Sequence, residues 1–169
     1  LIEEHFFKQV GHRHTCREIY VEHGQEAFRQ VEAMMARQLE DAEWKLIVCG
    51  GSSLIDPGSR QALRKNAILI YLKADTETIW ARLEKDGLPP WLRGPDAREQ
   101  LDKNVAFREE LLGPFADILV DTTGKLPGEI AAEIMEGLGQ ELAIRSKAAN
   151  TYGDVIGLTT FGESHGPAI

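Results

Sequence analysis

Apolar residues recur along this chain in two rhythms. Three short runs are near-continuous and β-branched. They are Lys45-Leu46-Ile47-Val48-Cys49, closed by Gly50-Gly51; Ala67-Ile68-Leu69-Ile70-Tyr71-Leu72; and Asp117-Ile118-Leu119-Val120, closed by Asp121-Thr122-Thr123-Gly124. Runs of that length without polar alternation predict strands covered on both faces. Between them, apolar positions return every three or four residues. Ala27, Phe28, Val31, Met35 and Leu39 predict a helix over 24–40. Asp75 predicts the cap of a helix carrying Ile79, Trp80 and Leu83. Asp96 with Glu99 three residues on is an Asp version of the capping box, ahead of Leu101, Val105, Arg108 and Leu112. Pro127 sits where a first-turn proline belongs, before Ile130, Ile134, Leu138 and Leu142. Helices alternating with buried strands predict a parallel α/β sheet with right-handed crossovers.

Two stretches break this rhythm. Gly87-Leu88-Pro89-Pro90-Trp91-Leu92-Arg93-Gly94-Pro95 is rich in residues that interrupt helices and strands, and Trp91 reads as exposed. It is a connector or a lid over a site, and composition favours neither. After about residue 143 the helical pattern fades into Arg145-Ser146-Lys147-Ala148-Ala149, a small, basic, linker-like stretch. A Thr-rich strand-like run then leads into Phe161-Gly162-Glu163-Ser164-His165-Gly166. Leu1 already stands inside a helical pattern and Ile169 follows directly on this Gly-rich motif. Both ends are therefore expected to be cuts in a longer protein.

Composition narrows the function classes. A length of 169 residues suits one domain. The 19 Lys and Arg against 27 Asp and Glu give a net charge of −8, which argues against a nucleic-acid partner. Small anionic substrates stay open, because two or three placed arginines can serve them. No apolar run approaches the length of a membrane span, and no signal peptide pattern is present. Cys16 and Cys49 stand far apart without a Cys/His ligand spacing, so no zinc site or other metal centre is expected. A reduced, cytoplasmic compartment is the default.

Several residues could carry chemistry. Gly50-Gly51 closes a strand at the end where open α/β sheets bind ligands, yet a plain turn explains it equally well. Arg29 and Glu32 share one helix face, and a solvated surface pair is the favoured reading by about two to one. Arg108 lies on the apolar stripe between Val105 and Leu112, where a guanidinium needs an acid or an anionic ligand. His12 and His14 read as a solvated face. His165, in a Gly-punctuated turn beside Glu163, weakly indicates acid–base work. No GxxxxGK[ST] or GxGxxG occurs in the chain.

The ordered string resembles shikimate kinase over roughly residues 1–143. Its elements are Leu1-Ile2-Glu3-Glu4, then Glu18 through Glu32 with a G-x-x-x-F-R-x-x-E core, and Ile47-Val48-Cys49-Gly50-Gly51-Ser52 with Asp56-Pro57 and Arg60. Ile70-Tyr71-Leu72, Arg82-Leu83, Arg108 and Ala116 through Thr122 continue it. The resemblance implies a P-loop-kinase-like three-layer α/β sandwich on a parallel sheet. It implies transfer of the ATP γ-phosphoryl group to the 3-hydroxyl of shikimate, with Mg²⁺. By position, Arg29 and Arg108 match arginines that hold the shikimate carboxylate, and Glu32 matches the acid orienting the first. Gly50 and Gly51 match the glycines under the substrate ring, with Ser52 where a third Gly is usual and its Cβ expected to crowd the backbone. Arg82 matches the arginine stacked on adenine, and Lys125 and Pro127 fall in the adenine loop.

The chain departs from the family in two places. The lid's Arg-Pro-Leu-Leu appears as Pro89-Pro90-Trp91-Leu92, so Pro89 stands for the arginine that reaches the transferred phosphate, with Arg93 four residues on. The family's P-loop and Asp-x-Asp element are expected upstream of Leu1. That would leave the sheet truncated, with its first strands missing. The central slot between 46–49 and 68–72 would be vacant, and the piece poorly stable alone.

Residues 150–169, through Thr159-Thr160-Phe161-Gly162-Glu163-Ser164-His165-Gly166-Pro167-Ala168, are similar to the opening of chorismate synthase. That resemblance implies an active-site role for His165 near reduced FMN, and an oligomer formed through the synthase part. The expected organisation is a kinase-like domain over 1–143, a linker over 144–149 and the start of a synthase domain over 150–169. Two rivals remain: a degenerate, non-catalytic module attached to the synthase, and another small-molecule kinase of this fold, such as a gluconate kinase.

Overall fold

A computed structural model describes residues 1–39, 45–92, 94–148 and 155–160. Helices α1 (Ile2–Val10) and α2 (Cys16–Gln38) open the chain. Thr15 starts α2 with a complete capping box: its backbone N–H donates to Glu18 Oε2 at 2.7 Å, and its hydroxyl accepts from the Glu18 N–H at 3.2 Å. Gly24 interrupts α2 with φ 80° and ψ 168°, a conformation open to glycine, and the helix resumes in a new direction. Phe6, Ile19 and Phe28 pack together across the α1–α2 corner.

The sheet follows. Strand β1 (Leu46–Cys49) leads through a tight loop to α3 (Pro57–Arg64), then β2 (Ala67–Lys73) and α4 (Thr76–Asp86). A 3₁₀ turn at Pro90–Leu92 precedes α5 (Ala97–Leu112), a second 3₁₀ turn at Gly113–Phe115 and strand β3 (Ile118–Asp121). Helix α6 (Pro127–Ala148) and strand β4 (Val155–Thr160) complete the described residues. All four strands are parallel in the order β1-β4-β2-β3. On one face, Leu69 and Tyr71 pack with Ala36 of α2, Leu63 of α3 and Leu112 of α5. On the other, Ile68 and Ile70 meet Ile130, Ile134 and Leu138 of α6. The result is the three-layer α/β arrangement.

Four expectations change. Of the three predicted strands, β2 alone is covered on both faces; the edge strands β1 and β3 alternate, leaving Leu46 65% and Val48 64% exposed. Asp96 caps α5 by position but makes no side-chain cap bond, because its φ −96° and ψ 14° are not the extended dihedrals that aim a cap at the next turn. Its would-be partner Glu99 pairs with Lys103 instead, at 2.6 Å. Helix α6 continues through residues 144–148, where composition predicts a linker, and Arg145 ties it back to Asp117 at 3.1 Å and to Glu141 at 2.9 Å.

The fourth change concerns the central slot. It is filled: β4 lies between β1 and β2, with Leu46↔Ile156 through Cys49↔Thr159 on one side and Ala67↔Val155 through Leu72↔Thr160 on the other. A parallel strand there satisfies ladder groups on both neighbours that an empty slot would leave unpaired.

Candidate functional site

In a parallel sheet every carboxyl end points the same way, and two groups of side chains gather at that end. The first is built on α2 and the loop after β1. Phe28, buried in the α1–α2 corner, fixes the rotation of α2. Glu32, one turn on, is only 4% exposed, while Arg29 reaches solvent. The loop turns tightly, Ser53 N–H donating to the Gly50 carbonyl at 3.1 Å and Ile55 N–H to that of Ser52 at 3.0 Å. This brings two hydroxyls to one carboxylate: Ser52 Oγ donates to Glu32 Oε2 at 2.6 Å and Ser53 Oγ to Oε1 at 2.7 Å.

The loop itself is stapled. Asp56 caps α3, accepting from Ser59 N–H at 2.7 Å and from its hydroxyl at 2.9 Å. Buried Arg60 donates to the carbonyls of Leu54 at 2.8 Å and Ile55 at 2.6 Å, and its guanidinium lies 5.2 Å from the Phe115 ring centroid. The side chain of Ser52, where a third glycine was expected, is drawn into the Glu32 contact.

Arg108 enters this group from α5 and Tyr71 from β2. Burial pushes the Glu32 carboxyl above its ordinary value, opposed by the Ser52 and Ser53 hydrogen bonds and by the charges of Arg29 and Arg108. Burial likewise pulls Arg108 down, opposed by Tyr71 and Glu32, while Arg29 adds like-charge repulsion. The Tyr71 hydroxyl is pushed up to about 12, by burial first and Glu109 second, so it stays neutral. The inner set is two guanidinium cations around one anion, with the anion's oxygens engaged by hydroxyls. Cys49, at the end of β1, is buried, and its thiol is pushed up to about 11. At neutral pH it is therefore no thiolate nucleophile.

The second group sits at the ends of β2 and β3. Arg82 of α4 donates to Thr122 Oγ1 at 3.1 Å and to the Thr122 carbonyl at 2.9 Å. The Thr122 hydroxyl in turn donates to the Lys73 carbonyl at 2.9 Å. Lys125 N–H also reaches the Thr122 carbonyl, at 3.3 Å, while its ammonium pairs with Glu133 at 2.7 Å. Pro127 opens α6 just beyond. Asp75 N–H donates to Thr123 Oγ1 at 3.0 Å, closing the two strand ends on each other.

The stretch after α4 is a packed unit. Leu92 is fully buried with Ile79, Leu83, Ala97 and Leu101, and Trp91 is half-buried against them, contrary to its exposed reading. Pro89 is buried. Arg17 of α2 reaches across to the carbonyls of Gly87 at 3.2 Å and Leu88 at 3.1 Å. On α5, Arg98 pairs with Glu77 and covers the Trp80 ring 4.7 Å from its centroid.

The structure thus brings Arg29, Glu32, Arg108 and the Gly50-Gly51 turn into one group, and Arg82, Lys125 and Pro127 into another. Arg93 and His165 lie outside the described residues. Ser53, Tyr71 and Thr122 were not singled out by sequence reasoning. The one available signal was a second hydroxyl beside Ser52; the others depend on tertiary placement. Among the described residues, no group of three or more His, Cys, Asp and Glu could hold a metal ion, and no helix is long and apolar enough to cross a membrane.

An open parallel sheet with a charged cluster and a second polar cluster at its carboxyl edge defines an α/β protein of the class whose ligand sites lie beyond the strand ends. Residues 3–139 match the family described as shikimate kinase, and the chain belongs to that family. It is 29% identical over 148 residues to a shikimate kinase of Xanthomonas campestris pv. campestris strain 8004, covering 88% of this chain and 81% of that protein. It is 31% identical over 133 residues to a shikimate kinase of Streptococcus gordonii, covering 77% and 80% respectively.

Proposed function

We propose that this protein acts in the ATP-dependent phosphorylation of shikimate at its 3-hydroxyl. The observation that carries the reading is the pair Arg29 and Arg108, drawn from α2 and α5, whose charges both act on Glu32. Planar guanidiniums match a carboxylate's geometry. In this reading Arg29 and Arg108 hold the substrate carboxylate, Glu32 balances them, and Gly50-Gly51 form the floor under the ring. Arg82, Lys125 and Pro127 meet the adenine of ATP. Positioning and charge stabilisation make up most of the catalysis of phosphoryl transfer. A Mg²⁺ ion accompanying ATP would be held largely by phosphates and water. The test is ADP release from ATP that requires shikimate. Equal release with gluconate overturns the substrate assignment.

One observation favours a second reading, a shikimate-binding module without turnover. Pro89, which stands for the lid arginine, is buried in its own loop and carries no charge to offer a phosphate. Shikimate binding with no ADP release identifies this case.

We also propose that residues 150–169 begin a chorismate synthase part, which eliminates phosphate from enolpyruvylshikimate phosphate with reduced FMN and places His165 near the flavin. Its support is the Phe161-Gly162-Glu163-Ser164-His165-Gly166 motif. An antibody against residues 1–143 should deplete chorismate synthase activity from an extract of the source cells. Activity left entirely in the supernatant contradicts the fusion.

A further inference from the structure

We infer that Arg17 is a positioning residue for the stretch 87–92: it ties that stretch to α2, so that occupation of the site on α2 is felt at the lid. The inference rests on the shikimate reading above.

Two segments of α2 meet at Gly24, whose φ of 80° and ψ of 168° interrupt the helix. Arg17 stands on the first segment, Arg29 and Glu32 on the second. Phe28 of the second segment packs with Ile19 of the first, and both are buried. Close-packed side chains transmit displacement, so a shift of the turn that carries Arg29 moves the turn that carries Arg17.

From there the half-buried Arg17 side chain leaves α2. Its Nη2 donates to the Gly87 carbonyl at 3.2 Å and to the Leu88 carbonyl at 3.1 Å. A guanidinium Nη carries two hydrogens, one for each carbonyl. Two successive carbonyls on one cationic donor fix both the distance and the direction of the chain relative to α2. Both lie at the root of the stretch, where Gly87 ends α4 at φ 93°, a conformation that favours glycine. Leu88 and Trp91 pack on the cluster of Leu83, Leu92 and Leu101. The Leu92 N–H donates to the Pro89 carbonyl at 3.0 Å and closes the turn. The contacts from Arg29 to Leu92 are therefore continuous. Coupling through them is a free energy between two sites, read as a difference between liganded and unliganded states and not as a loss of stability.

The experiment is hydrogen exchange at the Leu92 amide, with and without shikimate, in the unsubstituted full chain, Arg17→Met and Arg17→Lys, with saturation checked by calorimetry. Shikimate should slow this exchange about fivefold or more in the unsubstituted chain, and less than about twofold in Arg17→Met, which keeps the stem and loses the donors. Arg17→Lys, which keeps a cationic donor, should recover part of the difference. If Arg17→Met does not fold, Arg17→Gln takes its place. Exchange that Arg17→Met speeds equally with and without shikimate is a merely structural effect and overturns the inference. So does the absence of slowing in the unsubstituted chain while shikimate binds. Failure of the unsubstituted chain to bind shikimate overturns the functional reading, and the inference with it.

Discussion

Glu32 of α2 and Arg108 of α5 each stabilise the charged form of the other, although burial works against both. A charge removed from water is tolerated only when neighbours replace its solvation. Here two hydroxyls and two cations do so for Glu32. Such a pair is poised for a ligand that brings a further negative charge.

The titration of Glu32 gives this arrangement a pH signature. Its folded-state value is raised above 4.5. A raised carboxyl contributes stability that is fully present below the unfolded value and is lost as pH rises through the folded one. Relative to Glu32→Gln, which cannot titrate, the unsubstituted protein should lose stability from pH 4.5 upward, with a slope of at most about 1.4 kcal/mol per pH unit. Urea unfolding of both proteins across this window checks the sign, and parallel curves contradict it.

The second cluster makes a separate prediction. Thr122→Val keeps the shape of the side chain but removes the hydroxyl that accepts from Arg82 and donates to the Lys73 carbonyl. A net hydrogen bond is worth about 0.5–1.5 kcal/mol, so ATP affinity should fall roughly 2- to 10-fold. Shikimate affinity should not change. Titration with each ligand separates the two, and a fall in both would mean that the clusters are not independent.

Much of the fold was legible because hydrophobic period and cap chemistry act locally. The β2 run, the Asp75 cap and the first-turn Pro127 appear where the pattern places them. The Asp75 carboxylate accepts from Thr78 N–H at 2.7 Å. What was not legible was decided by tertiary placement. Nothing local to Leu46 and Val48 says that α6 stops short of an edge strand. Nothing local to residues 155–160 says that they enter the middle of the sheet. At the site, Arg108 on an apolar stripe was a signal that buried charge must be partnered. Arg29 with Glu32 read as a solvated pair, because the hydroxyls that bury Glu32 come from another segment.

The lid segment should behave as a folded unit. Leu92 is fully buried against Ile79, Leu83 and Leu101, so Leu92→Ala should cost about 2–5 kcal/mol in chemical unfolding. A cost below 1 kcal/mol would mean that this stretch is a loose connector.

Helix α6 packs closely on β3 at a glycine. A Cβ at Gly137 would stand 2.8 Å from Ile118 Cγ2. Gly137→Ala should therefore destabilise by about 1–3 kcal/mol through overpacking, despite alanine's higher helix propensity. A stabilised variant would show that α6 sits further from the sheet.

The most direct test of the account is calorimetric titration of shikimate into the unsubstituted chain and into Arg29→Ala and Arg108→Ala. Truncating one partner of a buried charge contact costs about 2–5 kcal/mol, so Arg108→Ala should bind about 30-fold more weakly or worse, and Arg29→Ala, whose side chain reaches solvent, should lose less, with ATP affinity unchanged in both. Shikimate binding of unaltered strength in Arg108→Ala would contradict the carboxylate clamp on which the reading stands.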